Sequence, residues 1–126
     1  MRIAICASEG APYCKSGGLG DVMEALPAAL SRIEGNEVIL MPPYYKKIKE
    51  NAAYQVERIF EFETNLGWRK QYCGIEMIEQ DGVKWYFMDN KFYFGRPYIY
   101  GMGGDEYERF GFFCRASLNC LPIIDF

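Results

Sequence analysis

The first apolar run, Ile3-Ala4-Ile5-Cys6-Ala7-Ser8, is continuous and stops at Glu9-Gly10 and Pro12. An unbroken apolar run between turn residues predicts a strand over residues 3–8, buried on both faces as in a parallel sheet. After a loop through Gly20 the period changes. From Asp21 to about Arg32 the apolar positions Val22, Ala25, Leu26, Ala29, Leu30 and Ile33 recur at helical spacing. Asp21 suits the cap or first turn of that helix, where its charge meets the positive end of the dipole. Pro27 interrupts the pattern and is expected to kink it. Gly35-Asn36 ends the helix, and Val38-Ile39-Leu40-Met41 predicts a second buried strand that stops at Pro42-Pro43. Strand, helix and strand within about forty residues predict a βαβ unit with a right-handed crossover.

The middle of the chain alternates instead. Residues 54–62, 69–79 and 83–88 are rich in aromatic and β-branched side chains and predict strands. The last two are joined at Gln80-Asp81-Gly82, a hairpin turn, which makes an antiparallel excursion from the main sheet. An aromatic loop follows, Lys91-Phe92-Tyr93-Phe94-Gly95-Arg96-Pro97-Tyr98, running on to Gly103-Gly104. A second helix is predicted from Asp105, with Glu108 three residues on in a capping-box pattern. Phe110, Phe113, Ser117 and Leu121 are expected on one face, adjoined by Phe112, Ala116 and Cys120, and Pro122 is expected to end the helix. The fold class that emerges is α/β, a Rossmann-like parallel sheet with an antiparallel β-hairpin excursion. Such a set of elements leaves a small sheet with open edges. Residues 1–126 are therefore expected to be a single incomplete domain, the front of a larger protein.

Composition narrows the function. With 126 residues, half of them hydrophobic, the chain can build one core. Its net charge of −3 argues against nucleic acid and against anionic membranes as partners. The Lys46-Lys47-Ile48-Lys49 cluster is brief and is read as solvated surface. Five scattered cysteines with no C-x-x-C pair, and no histidine, leave a structural metal site almost nothing to build from. They read as free thiols in a reducing compartment. Cys14, beside Lys15, is either a reactive thiol or a bystander. The apolar start is too short for a secretory signal or a membrane span, so a cytoplasmic location is expected.

The candidate chemistry lies in Lys15-Ser16-Gly17-Gly18-Leu19-Gly20, at the carboxyl end of the first strand, where open α/β sheets bind ligands. It is neither a P-loop, whose lysine comes last, nor a dinucleotide fingerprint, whose third glycine and later acidic residue are missing. Glycines entering a helix expose amides and a positive dipole end, and Lys15 adds a point charge suited to phosphate. Two readings stand: a phosphate or diphosphate site, or a tight strand-to-helix turn with an exposed lysine.

The stretch Ala7-Ser8-Glu9-Gly10-Ala11-Pro12-Tyr13-Cys14-Lys15-Ser16-Gly17-Gly18-Leu19-Gly20-Asp21-Val22, followed by Ala25-Leu26-Pro27, resembles the opening of bacterial glycogen synthases and plant starch synthases, with their K-x-G-G-L motif, D-V and A-L-P. Val38 to Tyr45, Asp89-Asn90 through Gly101, and Glu108-Arg109-Phe110 through Ala116 resemble further segments of that family in the same order. The resemblance implies the front of the N-terminal, acceptor-side domain of a GT-B glycosyltransferase, with the C-terminal nucleotide domain outside this stretch. It implies retaining transfer of glucose from ADP-glucose to the non-reducing end of an α-1,4-glucan, without cofactor or metal. These 126 residues alone are expected to be inactive, with open sheet edges that favour self-association. By the same resemblance, Lys15 lies at the donor phosphates, and Gly17 and Gly18 let donor and glucan approach. Asp21 serves as a cleft residue or helix cap. Tyr93 and Arg96 either face the sugar or pack the aromatic loop against the sheet. The alternative is a stand-alone phosphate-, nucleotide- or glucan-binding module with no catalytic duty.

Overall fold

The computed structural model describes residues 1–101 and 103–126. Along the chain run β1 (Arg2–Cys6), α1 (Gly18–Ser31), β2 (Glu37–Met41), α2 (Lys46–Lys49), β3 (Glu57–Leu66), β4 (Arg69–Gln80), β5 (Val83–Asp89), α3 (Lys91–Phe94) and α4 (Glu106–Ile123). The strands form one sheet in the order β1-β2-β5-β4-β3. β1, β2 and β5 run parallel, while β5, β4 and β3 are antiparallel neighbours. The excursion thus returns into the main sheet, because β5 pairs with β2 on one side and β4 on the other. Asp81 and Gly82 both have positive φ (52° and 77°), the geometry of a tight two-residue hairpin between β4 and β5. Gly67, at φ 62°, makes a second tight turn between β3 and β4.

Burial follows position in the sheet. β2 is buried at four of its five residues and β5 at six of its seven, because both are central. On β5, Val83 and Trp85 face α1, and Phe87 joins Trp85 against Tyr13. The alternate residue Met88 turns to the other face, where its sulfur lies 3.9 Å from the Cys73 thiol. There the buried side of α4 supplies Arg109, Phe112, Phe113, Ala116, Ser117 and Cys120. Phe110 and Leu121, expected on that face, are only partly buried.

Several expectations fail for local reasons. β1 is not buried on both faces. It is an edge strand, pairs only with β2, and alternates between exposed and partly buried residues. α1 begins at Gly18 with the side-chain-less Gly17 at its cap, so Asp21 does not cap the helix but takes the other of its two expected places, in the first turn; Pro27 lies inside the helix. Asp105 does stand at the N-cap of α4, but its side chain makes no capping hydrogen bond, so no capping box forms. Its carboxylate is held by Arg96, and that of Glu108 by Arg69 and Tyr93. Pro122 lies inside the last turn of α4 and does not end it. The aromatic loop contains a helical turn, α3, capped by Asn90, whose side chain accepts the Tyr93 amide.

Candidate functional site

The segment from residue 7 to residue 17 folds back on itself before α1. Gly10 and Cys14 exchange backbone hydrogen bonds of 2.7 and 2.9 Å, and the Ala11 amide reaches the Gly20 carbonyl. Gly10 has to be glycine here. A Cβ on it would lie 2.6 Å from the Trp85 ring, well inside contact distance. Cys14 is fully buried, and burial pushes its thiol up to about 12, so it is a packing residue and not a nucleophile.

The centre of the loop is an acid that sequence reasoning passed over. Glu9 is only 4% exposed. One carboxylate oxygen accepts the amides of Ser16 (2.7 Å) and Gly17 (3.0 Å), and the other accepts the Tyr100 hydroxyl (2.5 Å). Burial by itself raises the Glu9 carboxyl, but the hydrogen bonds from Tyr100 and the loop amides outweigh it and hold the group below its usual range. The sequence reading expected amides exposed at the glycines that enter the helix, and the Gly17 amide is not one of them. Two loop amides already hold the chain's own anion. The first amides of α1, those of Gly18 and Leu19, donate to no backbone carbonyl outside the helix among the described residues, as is usual for a helix's first turn.

Lys15 pairs with Asp21 at 2.8 Å, and both side chains are about half exposed. The hydrogen bond to Asp21 raises the lysine above its ordinary value. Cβ positions on Gly17 and Gly18 would face open space. Lys15, Gly17, Gly18 and Asp21 are thus brought together at the head of α1, at the carboxyl end of the parallel strands.

A cleft of about 510 Å³ opens beside them. Lys15 and Ser16 form one wall, Tyr45, Lys46, Lys47 and Glu50 a second, and Arg96 to Tyr100 a third. Lys46 and Lys47 therefore belong to the rim of the candidate site, a role that the reading as plain surface missed. β2 ends at Met41, before Pro42-Pro43 as expected. The segment beyond is tied to Met88 of β5, whose amide donates to the Pro42 carbonyl and whose carbonyl accepts the Tyr44 amide. Buried Ile48 then anchors α2, and Lys46 and Lys47 line the cleft. Lys46 pairs with Glu50, whereas Lys47 has no carboxylate partner among the described residues.

Arg96 and Tyr93 part company. Arg96 lines the cleft, its guanidinium held in a two-point pair with Asp105 at 2.6 and 2.7 Å. Tyr93 does not reach the cleft. It is fully buried, its ring stacks on Phe112 at 4.9 Å, and its hydroxyl donates to Glu108 at 2.7 Å. The expectation that it faces a sugar gives way to packing. Arg109, also fully buried, donates to the carbonyls of Tyr93 and Ile99 and so ties the third wall of the cleft to α4. Among the described residues no group of acidic, cysteine or histidine side chains is arranged to hold a metal ion. No described helix is long and apolar enough to cross a membrane.

Known proteins resemble this chain in sequence and fold. The chain is 45% identical over all 126 residues to a glycogen synthase of Anoxybacillus flavithermus, and 44% identical to one of Streptococcus agalactiae. It covers 26% of each, so it spans about a quarter of the length of these curated relatives. The catalytic domain of starch synthase IV from Arabidopsis thaliana, solved bound to ADP and acarbose, superposes with a TM-score of 0.83 at 28% identity, over 98% of this chain and 25% of that one. That likeness bears out the GT-B fold class. A family model described as starch synthase catalytic domain matches residues 2–126, and the chain belongs to that family.

Proposed function

We propose that this chain is the N-terminal part of a cytoplasmic glycogen synthase, which transfers glucose with retention from ADP-glucose to the non-reducing end of an α-1,4-glucan. The observation that carries the proposal is the grouping of Lys15, Gly17, Gly18 and Asp21 beside an open cation-rimmed cleft, in a chain matched end to end by glycogen synthases. Transfer builds negative charge on the departing diphosphate and positive charge on the sugar ring. Lys15 and the free amides of Gly18 and Leu19 are fixed positive groups for the former. The donor's phosphates take Asp21's place on the ammonium. The open space over Gly17 and Gly18 lets sugar and diphosphate approach the backbone. In an enzyme of this kind a second domain completes the cleft, so the isolated segment 1–126 is expected to transfer no glucose.

The test is incorporation of labelled glucose into glycogen by the full-length polypeptide, from ADP-glucose and, in parallel, from UDP-glucose. Incorporation from ADP-glucose is expected, with turnover lowered about 10²-fold or more in Lys15→Ala, the scale of losing one charge-stabilising donor. Activity of the variant within a few-fold of wild type removes Lys15 from that role. A full-length protein that binds donor or glucan and transfers nothing favours the non-catalytic binding module.

A further inference from the structure

We infer that Glu9 is a positioning residue for glucosyl transfer: its buried carboxylate holds the Lys15–Gly18 loop in its working shape and clamps that loop to the opposite wall of the cleft through Tyr100. The inference rests on the synthase reading above and adds to it a residue that touches neither donor nor acceptor.

The geometry assigns the role. Glu9 lies on the loop before α1, and its buried carboxylate is turned inward onto donors of the protein itself. Two of those partners, the amides of Ser16 and Gly17, immediately follow Lys15 and precede Gly18. They fix the backbone between the charge that would meet the phosphates and the head of α1. The third, Tyr100, lies 91 residues away on the far wall. Its single proton goes to Glu9, so Ser8, 2.6 Å from the Tyr100 oxygen, donates to it in turn. Ser8 is itself held from its other side, since its carbonyl accepts the Tyr45 hydroxyl at 2.8 Å. All three walls of the cleft thus meet at one carboxylate network.

A free glycine-rich loop samples many backbone states, and ordering it at each turnover would be costly. Charge-assisted hydrogen bonds to a fixed anion remove that cost beforehand. The same bonds exclude an alternative role. With both amides occupied, the departing diphosphate is left to Lys15 and the first amides of α1, which narrows where its oxygens can sit.

The experiment uses the full-length polypeptide with Glu9→Ala, Glu9→Gln and Tyr100→Phe. Glutamine keeps an oxygen for the two amides and turns its NH2 toward the Tyr100 oxygen, so the network survives without the charge. Expected for Glu9→Ala is a fall of about 10- to 100-fold in kcat with ADP-glucose, the scale of misplacing a catalytic group, while KM for glycogen stays within about threefold. Glu9→Gln is expected to recover most of that loss, and Tyr100→Phe to show a smaller fall in kcat of the same kind. Three results overturn the role. One is a glutamine variant as impaired as alanine; another is a main effect on KM for glycogen, which would make Glu9 an acceptor contact. The third is tighter donor binding in Glu9→Ala, which would make the carboxylate a stand-in that phosphate displaces. Hydrogen exchange at the Ser16 and Gly17 amides separates this inference from the synthase reading, because it needs no activity. Protection lost in alanine and kept in glutamine supports the clamp even if no glucose is transferred, and unchanged protection in alanine overturns it.

Discussion

Two buried glutamates sit on opposite halves of the sheet and are stabilised in opposite ways. Glu9, beside the parallel half, is surrounded by donors that cannot move far: two backbone amides and a tyrosine hydroxyl. Glu76, on β4 in the antiparallel half, is as deeply buried but relies on one arginine, Arg58, which also serves Asp89, Glu61 and Tyr72. The outcome differs in sign. Burial raises both carboxyls, and at Glu9 the hydrogen bonds more than reverse it. At Glu76 burial wins over the attraction of Arg58, with the neighbouring Asp89 adding to the rise. One cation shared among several acids does less for a buried carboxylate than a few backbone dipoles aimed at it alone. Nearness to positive charge is therefore a poor guide to which acid is comfortable.

Removing the shared cation breaks the comparison most severely. Arg58→Met leaves Glu76 and Asp89 buried side by side without a counter-charge. The expected local destabilisation is about 2 kcal/mol, below the usual cost of orphaning a buried charge because Arg58 is itself partly solvated. Hydrogen exchange at the β4 and β5 amides of the full-length protein measures it, and an unchanged rate there refutes the account. Next in size is Glu9→Ala, which leaves two amides without an acceptor and should cost about 1–2 kcal/mol in local opening of residues 9–17.

The pH dependence sharpens the contrast, because the two acids predict opposite slopes. Glu9 lies below its ordinary value of 4.5, so its contribution is present above pH 4.5 and is lost as pH falls through its lowered value. The groups facing it are Tyr100, Ser8 and the more distant Lys15 ammonium, none of which changes charge in that window. Glu76 lies above 4.5, so its contribution is present below pH 4.5 and is lost as pH rises through its raised value. Acidification from neutral pH should loosen the loop amides while the centre of β4 holds or tightens. Parallel slopes in both places would sink this assignment. The smallest effect belongs to Glu76→Gln, which keeps a hydrogen bond to Arg58 and removes the repulsion with Asp89. Stability within about 1 kcal/mol of wild type is expected, and the slope at β4 should vanish.

What was legible in the sequence was what depends on near neighbours. The periods of α1 and α4, the apolar run of β2 and the Asp81-Gly82 turn announce themselves within a dozen residues. So does the Lys15–Asp21 loop, because its glycines, lysine and aspartate are adjacent in the chain. Whatever depends on distant partners was not legible. An apolar run cannot say whether a strand has two neighbours or one, so β1 looked central. Asp105 and Glu108 looked like a capping box because Arg96, Arg69 and Tyr93, which claim them, come from other segments. Tyr93 looked available because its burial depends on α4. α2 and α3 span four residues each, too few to show a period. Glu9 had one faint signal, a lone acid in the otherwise uncharged stretch from Ile3 to Cys14, but its meaning rests on Tyr100 far along the chain.

The exposed pair of Lys15 and Asp21 also has a consequence in time. Solvated side chains change rotamer in picoseconds to nanoseconds, whereas enzymes commonly turn over about 1 to 10³ times a second. On the proposed synthase reading, the lysine would leave aspartate for phosphate and return many times within one such cycle. That reading therefore predicts a handover at equilibrium, with the pace of the cycle set by another step.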